Sequence, residues 1–314
     1  MNTTIRITNN AQLAKMQGSQ QNHQYNYATQ QERISKGKQY LKRSDAPAET
    51  DMISRVKNAN IKIDRWRTNA KRAKEWELAT ESKLQSILED TQRVRELNVQ
   101  ANSDVTDDGS RVNIATEING ILEGLVQAGN ATYLGTYMFA GTKTDTPPYV
   151  VTRDANGNIA SATFLGAATP TPPGTETKRT YQSSEIVTDE EYGLTGNEIF
   201  DFEVEGNTHN LINELILLRD TLLAGDKPTN ASVLEKSIDH VVTNVINNTA
   251  AQKKLDSFIT NMNSMEQNGI NKLGEIEGLD MAEAISNLSS LEMSYQASLQ
   301  MIGRMNELSL MNYI

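Results

Sequence analysis

The fold is decided by residues 51–101, which read DMISRVKNANIKIDRWRTNAKRAKEWELATESKLQSILEDTQRVRELNVQA. Apolar or small residues recur there at seven-residue spacing, and a second series follows four positions behind the first. Alternating steps of four and three residues place a narrow apolar stripe along one side of a helix. The two series are Met52, Ala59, Trp66, Ala73, Thr80, Ile87, Val94 and Ala101, and Val56, Ile63, Ala70 and Leu84. The stretch therefore predicts a long helix that packs along another helix, and about 55 residues of it would extend about 80 Å.

The ends of this helix are also marked in the sequence. Ser44 or Asp45 is suited to cap the start, and Pro47 fits a first helical turn. The run Asp107 to Ser110 breaks the pattern, and a shorter returning helix is predicted after it. Its apolar positions are Val112, Ala115, Ile118, Leu122, Leu125 and Tyr133.

Three further helices are predicted in the last third of the chain. Leu211, Leu215, Leu218 and Leu222 mark a helix that stops near residues 225–228. A second long stripe runs from Leu234 to Ile276, interrupted by polar residues at Asn248, Gln252 and Glu266. After a break at 278–280, a last helix carries Met281, Leu288, Tyr295 and Ile302 seven apart, with Ala284, Leu291 and Met305 three behind.

The middle of the chain, about residues 142–206, has little helical character. Five of the seven prolines lie between residues 147 and 173. An Asn-Gly pair within residues 154–158 separates two β-prone runs, 149–152 and 159–164, which is a good hairpin signal. Residues 180–187 and 199–204 are predicted as further short strands.

The order of these elements predicts a mainly α fold with a small β domain. The N- and C-terminal halves would form a long antiparallel helical bundle, with the two chain ends together and the β-rich insertion at the distal tip. Three domains are expected: a terminal helical core (1–44 with 281–314), a helical bundle (45–141 with 207–280) and a β-rich outer domain (142–206).

Composition argues against a compact enzyme core, since hydrophobic residues make up 37% of the chain and aromatic residues 5%. The chain has no cysteine, which excludes disulfides and thiolate chemistry. No apolar run approaches the roughly 20 residues that a membrane span needs. The polar start of the sequence lacks the apolar region of a cleaved signal peptide. No membrane association is expected.

The sequence offers no catalytic, cofactor-binding or metal-binding motif. Its three histidines, His23, His209 and His240, do not stand at metal-ligand spacing, and His23 and His240 are expected on solvated surface. Residues 154–158 look faintly like a calcium loop but lack the glutamate at the twelfth position. We therefore expect no enzyme activity, cofactor or metal.

Charge is distributed unevenly along the chain. Residues 1–75 carry 15 Lys and Arg against 6 Asp and Glu, whereas the remainder carries 15 against 34. A basic arm sometimes binds nucleic acid. Because the acidic partner lies in the same chain, complementarity between helices or subunits is the preferred interpretation, and nucleic-acid binding is the alternative.

The terminal helices are the predicted assembly interface. An apolar stripe that runs to the last residues has little left in its own chain to cover it, and exposed apolar stripes usually indicate a partner. Methionines in the last third suit either ordinary helix packing or an adaptable interface. The residues assigned to this interface are Leu13, Tyr27, Ile34, Met281, Leu288, Leu291, Tyr295, Leu299, Ile302, Met305, Leu308, Leu310 and Ile314.

Three segments resemble the flagellin superfamily. The first is ERISKGK at residues 32–38 followed by SDAPA at 44–48, where Ala46 replaces the second acidic residue of the family's pattern. The second is YMFAGTKT at 137–144 with PPY at 147–149. The third is YQASLQ at 295–300 with LSLMNYI at 308–314. The second and third are similar to the hook-filament junction proteins of that superfamily rather than to flagellins.

The resemblance implies a structural adaptor of the bacterial flagellum whose terminal helices fold on assembly. It implies as partners the first hook-associated protein on the hook side, flagellin on the filament side, an export chaperone on the C-terminal helix, and further copies of the chain in a ring. It also implies type III export without a cleaved signal to an extracellular location. The alternatives are a short flagellin and, from a different class, a coiled-coil adhesin or signalling protein.

Overall fold

A computed structural model describes residues 3–167, 178–184 and 190–311. Long helices dominate these residues, and eight short strands lie between the third and fifth helices, so the mainly α fold with a small β-rich part is confirmed. In chain order the elements are α1 Thr3–Lys36, α2 Pro47–Ala101, α3 Asp108–Gly129, β1 Thr132–Tyr133, β2 Thr136–Tyr137, β3 Tyr149–Arg153, β4 Ile159–Phe164, β5 Arg179–Tyr181, β6 Glu190–Tyr192, α4 Gly196–Phe200, β7 Asp201–Val204, β8 Asn207–Asn210, α5 Leu211–Leu223, α6 Ala231–Glu277 and α7 Met281–Met311.

The chain divides into two compact units. The smaller unit comprises Met1–Lys62 with Met265–Ile314, and the larger unit comprises Ile63–Ser264. Helices α2 and α6 contribute residues to both. The finer division into three domains stays a prediction.

The apolar stripe of α2 forms one wall of the core in the larger unit. Apart from Trp66, the members of both predicted series in this unit are buried and at most 5% exposed: Ile63, Ala70, Ala73, Thr80, Leu84, Ile87, Val94 and Ala101. Apolar side chains of α3, α5 and α6, and of the segment between α3 and α5, complete the core. The break before α3 is confirmed, because Asp107 caps the helix by accepting a hydrogen bond from the Ser110 N–H at 2.7 Å.

The first part of α2 departs from the heptad prediction. Met52 is 44% exposed, Ala59 is exposed and Trp66 is half-buried, whereas Ile53 is buried. An α-helix drifts by about 20° per heptad relative to a strict seven-residue repeat, which accumulates to roughly 140° over the seven heptads between Ala101 and Met52. The series therefore rotates off the packed face towards the start of the helix.

Two positions of the predicted returning helix are also wrong. Val112 is 43% exposed, and Ile114 takes the buried position instead. Tyr133 lies beyond the helix, in β1, where its ring meets the Trp76 ring edge to face at 5.6 Å. The helix ends at Gly129, where the Tyr149 ring packs so closely that a Cβ on this residue would lie 2.9 Å from it.

Among the described residues of the β-rich part there are four two-stranded antiparallel sheets, and each pairs strands that are neighbours in the sequence. The predicted β3–β4 hairpin is confirmed, with Tyr149 opposite Phe164. In its turn, Asp154 Oδ1 accepts hydrogen bonds from the Asn156 and Asn158 N–H groups, both at 2.8 Å, and Gly157 adopts a φ of 87°.

The prediction of a strand over residues 199–204 is half wrong. Ile199 and Phe200 belong to α4, and the strand β7 begins only at Asp201. A capping box explains the difference, since Glu198 Oε2 accepts from the Thr195 N–H at 3.0 Å and so favours a helical turn. Of the strand predicted over residues 180–187, β5 ends at Tyr181 and residues 185–189 lie outside the described residues.

A buried arginine fastens the β3–β4 hairpin to the helices. The Arg219 side chain on α5 is 2% exposed, and its Nη1 donates to the Ile159 carbonyl at 2.8 Å and to Asn119 Oδ1 at 3.0 Å. The neighbouring Asp220 carboxylate accepts from the same guanidinium at 2.7 Å.

Within the described residues, no helix has a stretch apolar enough to cross a membrane.

Candidate assembly surface

Helices α1 and α7 of the smaller unit pack against each other in antiparallel orientation. Gln30 Nε2 on α1 donates a hydrogen bond to the Ala284 carbonyl at 3.1 Å, and Gln30 and Ala284 are 9% and 2% exposed. Further along the pair, the Tyr27 and Tyr295 rings stack with centroids 6.3 Å apart. The expected meeting of the two terminal segments is therefore present.

The α7 residues that face α1 form a narrow stripe. At 100° per residue, Ala284 and four predicted interface residues fall within an arc of about 60°. These four are half-buried: Leu288, Leu291, Tyr295 and Ile302. Since Ala284 alone among the five is fully buried, the α1–α7 pair leaves part of this stripe open to solvent.

Large apolar side chains beside this stripe remain exposed. Met281 is 45%, Ile285 52% and Leu299 42% exposed, and all three lie along one edge of the stripe. Met293 and Met301, on the remaining faces of α7, are 65% and 57% exposed. Helix α7 thus offers apolar surface that its own unit does not cover.

The other predicted interface residues are placed as follows. Tyr27 and Ile34 on α1 are half-buried. Helix α1 includes Leu13 and α7 includes Met305, Leu308 and Leu310, but the side chains of these four residues lie outside the described part of the structure, as does Ile314 altogether. The use of the whole set as an assembly interface stays a prediction.

The segment that joins α1 to α2 is tightly organised. Gly37 ends α1 with a φ of 63°, and the Lys38 N–H donates back to the Arg33 carbonyl at 3.1 Å. Asp45 Oδ2 accepts from the Leu41 and Lys42 N–H groups at 3.2 and 3.1 Å, and the Lys42 bond is the main reason why the pKa of Asp45 is lowered. The resemblance segments ERISKGK and SDAPA therefore build this connection.

An ion-pair cluster ties this connection to the end of α6. Glu277 pairs with Lys57, and its second oxygen lies 3.4 Å from Lys38 Nζ. The Glu277 carbonyl also accepts from the Gln39 N–H at 2.9 Å. Burial alone would raise the pKa of Glu277, but the hydrogen bond and charge of Lys57, with Lys38, lower it overall.

The second resemblance segment packs inside the larger unit. Met138, Phe139 and Ala140 are at most 3% exposed, and Gly141 turns the chain with a φ of 64°. The Phe139 carbonyl accepts from the Gly196 N–H at 2.8 Å, which joins this segment to the start of α4. These residues position the insertion and do not form a surface.

Among the described residues, no group of three or more histidine, aspartate and glutamate side chains could hold a metal ion. His209 Nδ1 lies 2.8 Å from Glu214 Oε1. His240 is half-buried, with Nε2 2.8 Å from the Glu198 carbonyl and its ring 6.1 Å from the Phe202 ring, so the expectation of a solvated His240 is wrong. The packing of α4 against α6 accounts for its burial.

Two family models match the chain at its two ends. The bacterial flagellin N-terminal helical region matches residues 7–144, and the bacterial flagellin C-terminal helical region matches residues 236–314. Together they match more than half of the 314 residues. The chain belongs to the flagellin family. The matched regions include most of α1, most of α6 and the α7 residues through which the two terminal helices meet.

Several proteins similar to this chain are named as flagellar hook-associated proteins. Flagellar hook-associated protein 3 from Escherichia coli (strain K12) is 24% identical over 305 residues, which cover 89% of this chain and 90% of that protein. The solved structure of a flagellar hook-associated protein from Vibrio parahaemolyticus is similar with a TM-score of 0.60 and 18% identity, over 74% of this chain and all of that one. Flagellar hook-associated protein 3 from Legionella pneumophila is similar with a TM-score of 0.45 and 14% identity, over 80% and 99%.

Proposed function

We propose that this flagellin-family chain is a structural adaptor subunit that joins the hook of the bacterial flagellum to its filament. The observation that carries the proposal is the likeness to hook-associated protein 3 over about nine tenths of both chains. The chain would act by assembly and not by catalysis. The alternative, a short flagellin that forms the filament itself, lacks a comparable full-length match among these relatives.

The proposed partners follow from a position between hook and filament. The first hook-associated protein would lie on the hook side and flagellin on the filament side, with further copies of this chain completing a ring. An export chaperone would cover the C-terminal helix before secretion through the flagellar type III apparatus. Located in the flagellum outside the cell, the subunit would need no membrane anchor and no contact with nucleic acid.

The α1–α7 pair supports a mechanism in which assembly completes the fold. Its stripe is half-buried, and Met281, Ile285 and Leu299 lie exposed beside it. Ordering backbone costs about 1–2 kcal/mol per residue, and burial of apolar surface returns about 25 cal/mol per Å². Neighbouring subunits would supply the missing burial, so the terminal helices would become fully stable only at the correct place in the flagellum.

The proposed function is tested in a strain that lacks this gene. We expect electron microscopy to show hooks without filaments and flagellin monomers to accumulate in the culture medium. Added purified chain followed by flagellin should restore filaments on these hooks. Two outcomes would contradict the junction role and favour the filament alternative. One is a culture medium without flagellin in the deletion strain, and the other is growth of flagellin filaments on hooks in the absence of this chain.

A further inference from the structure

An open groove of about 560 Å³ lies in the smaller unit, beside the connection between α1 and α2. One side is formed by this connection, another by the first turns of α2, and Glu277 at the end of α6 contributes a single side chain. The residues that line it are Lys36, Lys38, Tyr40, Leu41, Lys42, Arg43, Thr50, Ile53, Ser54, Lys57 and Glu277.

The lining of this groove is strongly basic. Five of its side chains are cationic, and Glu277 is the one carboxylate among them. Three of the five cations already have partners: Lys36 pairs with Glu32 at 2.6 Å, and Lys38 and Lys57 pair with Glu277.

The positive charge that remains lies on two neighbouring residues. Lys42 and Arg43 are both exposed, and neither forms an ion pair with a carboxylate of the described residues. Lys42 Nζ instead lies 6.0 Å from the centre of the Tyr25 ring, whose residue is 60% exposed. Two adjacent unpaired cations at the edge of a groove favour an anionic ligand.

The structure also indicates which kind of anion fits. Glu277 lies at one end of the groove, where its carboxylate pairs with Lys57 and Lys38, so these ammonium groups already hold one carboxylate. Ile53 is buried and Leu41 is half-buried, so the groove has apolar surface next to its cations. Apolar surface beside ammonium groups suits the methylene stem and carboxylate of an acidic side chain.

We propose that this groove receives an acidic surface of a second copy of this chain. The charge distribution of the chain supports this occupant, since residues 1–75 carry an excess of 9 positive charges and residues 76–314 an excess of 19 negative charges. Copies arranged in a ring would place the basic start of one subunit next to the acidic remainder of its neighbour. The proposal rests on the ring assembly proposed above and identifies the surface that would hold it together.

The first experiment uses zero-length crosslinking of full-length chain assembled on isolated hooks. Carbodiimide joins a lysine amine to a carboxylate only where the two are in contact. With an equal mixture of ¹⁴N- and ¹⁵N-labelled chain, we expect Lys42 to form mixed-isotope links to Asp or Glu residues within 76–314. Links from Lys42 only to hook-associated protein 1, to flagellin or to its own copy would overturn the proposal.

The second experiment reverses the two free charges. Lys42→Glu with Arg43→Glu should raise the concentration needed for half-maximal assembly on isolated hooks by about tenfold, the effect of losing two modest intersubunit ion pairs. The matched control is Lys71→Glu with Arg72→Glu, an adjacent exposed pair outside the groove that changes the net charge equally. This control should change that concentration less than about twofold.

The outcomes separate this proposal from the junction role. If wild-type chain assembles on hooks and both double variants behave alike, the groove proposal fails and the junction role stands. If the wild-type chain does not assemble on hooks at all, the junction role fails and the groove proposal fails with it. A circular dichroism spectrum equal to wild type for both variants shows that the comparison is between folded chains.

Discussion

Asn248 and Gln252 are polar residues at apolar positions of α6, and the structure places both beside a buried carboxylate. Glu77 on α2 is 3% exposed, and its Oε1 accepts from the Gly193 N–H at 2.7 Å. Asn248 Nδ2 donates to Glu77 Oε2, and Gln252 Nε2 donates to Asn248 Oδ1 at 2.8 Å. These contacts connect α2, α6 and the insertion within the larger unit, and they explain the interrupted stripe of α6.

Removal of the Glu77 carboxylate should destabilise the larger unit. Glu77→Ala leaves the Gly193 N–H and the Asn248 amide without their acceptor in a buried place, which costs about 1–3 kcal/mol of unfolding free energy. Urea unfolding followed by circular dichroism measures this loss. Glu75→Ala, at an exposed position of the same helix, should change stability by less than about 0.5 kcal/mol. Equal stability of the two variants would contradict this account of Glu77.

Glu77 also makes stability depend on pH. Burial raises the pKa of Glu77 above its ordinary value of 4.5, although the Gly193 N–H and the charge of Lys178 oppose the rise. The folded chain therefore binds the proton of the Glu77 carboxyl more tightly than the unfolded chain does. Protonation of Glu77 thus stabilises the fold fully below its pKa in the unfolded chain, and this stabilisation is lost as pH rises through its higher pKa in the folded chain.

Glu77→Gln cannot titrate and isolates this effect. The unfolding free energy of wild type minus that of Glu77→Gln should fall as pH rises above the ordinary glutamate pKa of 4.5 and should level off above the raised pKa of the folded chain. Urea unfolding of both proteins at several pH values gives the difference. A difference that stays constant, or that rises with pH, would show that the pKa of Glu77 is not raised in the folded chain.

At the scale of single elements, the end of α6 depends on the absence of a side chain. A Cβ on Gly278 would lie 2.2 Å from the Gly274 carbonyl oxygen, a backbone atom that cannot rotate away. We expect Gly278→Ala to destabilise the chain by about 1–3 kcal/mol, since the helix end must shift and its contact with Gln39 is lost. Thermal unfolding by circular dichroism measures the change.

Gly274 provides the matched control for Gly278. It lies one turn earlier in α6, is exposed, and has nothing within 4 Å of the position where a Cβ would be. Gly274→Ala should therefore stabilise the helix by up to about 1 kcal/mol, because alanine is the better helix former. Similar effects of the two substitutions would mean that the close approach at Gly278 is absent in solution.

Helix α7 carries the prediction that links packing to assembly. Ala284→Glu places a charge in the fully buried position against Gln30 and should prevent α1 and α7 from pairing. Cells with this variant should export it, as immunoblots of the medium would show, yet lose filaments in electron micrographs. Ala282→Glu, on the exposed side of the same turn, should leave filaments attached. Attached filaments in the Ala284→Glu strain would show that the pairing is dispensable.

Much of this element layout was predictable from the sequence, for physical reasons. Periodicity fixed α2 and α6, and the Asn-Gly turn fixed the β3–β4 hairpin, because both are local signals. The α4 turn differs from the prediction because Ile199 and Phe200 are β-prone residues, whereas the capping pair of Thr195 and Glu198 favours a helical turn. The burial of Ile53 in place of Met52 depends on helix drift, which a strict heptad count leaves out.

The candidate site was only partly accessible to sequence reasoning. The stripe residues Leu288, Leu291, Tyr295 and Ile302 were recognised because apolar spacing is visible in one chain. The degree of burial of these residues could not be predicted from the sequence, since it depends on how closely α1 packs against α7. The basic groove could not be recognised as a site from the sequence. Charge counts show an excess of cations, but only the fold brings Glu277 next to Lys57 and leaves Lys42 and Arg43 without an ion pair to a described carboxylate.

At the scale of the whole molecule, the two units differ in how well they bury apolar surface. In the larger unit Ile118, Leu122, Leu125, Leu215 and Leu222 are 0% exposed, whereas the α7 stripe of the smaller unit is mostly half-buried. Resistance of backbone amides to exchange follows such differences in buried contacts. The terminal helices should therefore open far more easily than α3 and α5 in an unassembled chain.

Hydrogen exchange of the free and the assembled chain tests the central claim, that the terminal helices complete their fold on assembly. In dilute monomer, amides of residues 14–36 and 281–304 should exchange much faster than those of α3 and α5. On hooks that carry assembled chain, the same amides should become strongly protected while α3 and α5 change little. Terminal helices that are already as protected as α3 in the monomer, or that gain no protection on the hook, would contradict the account.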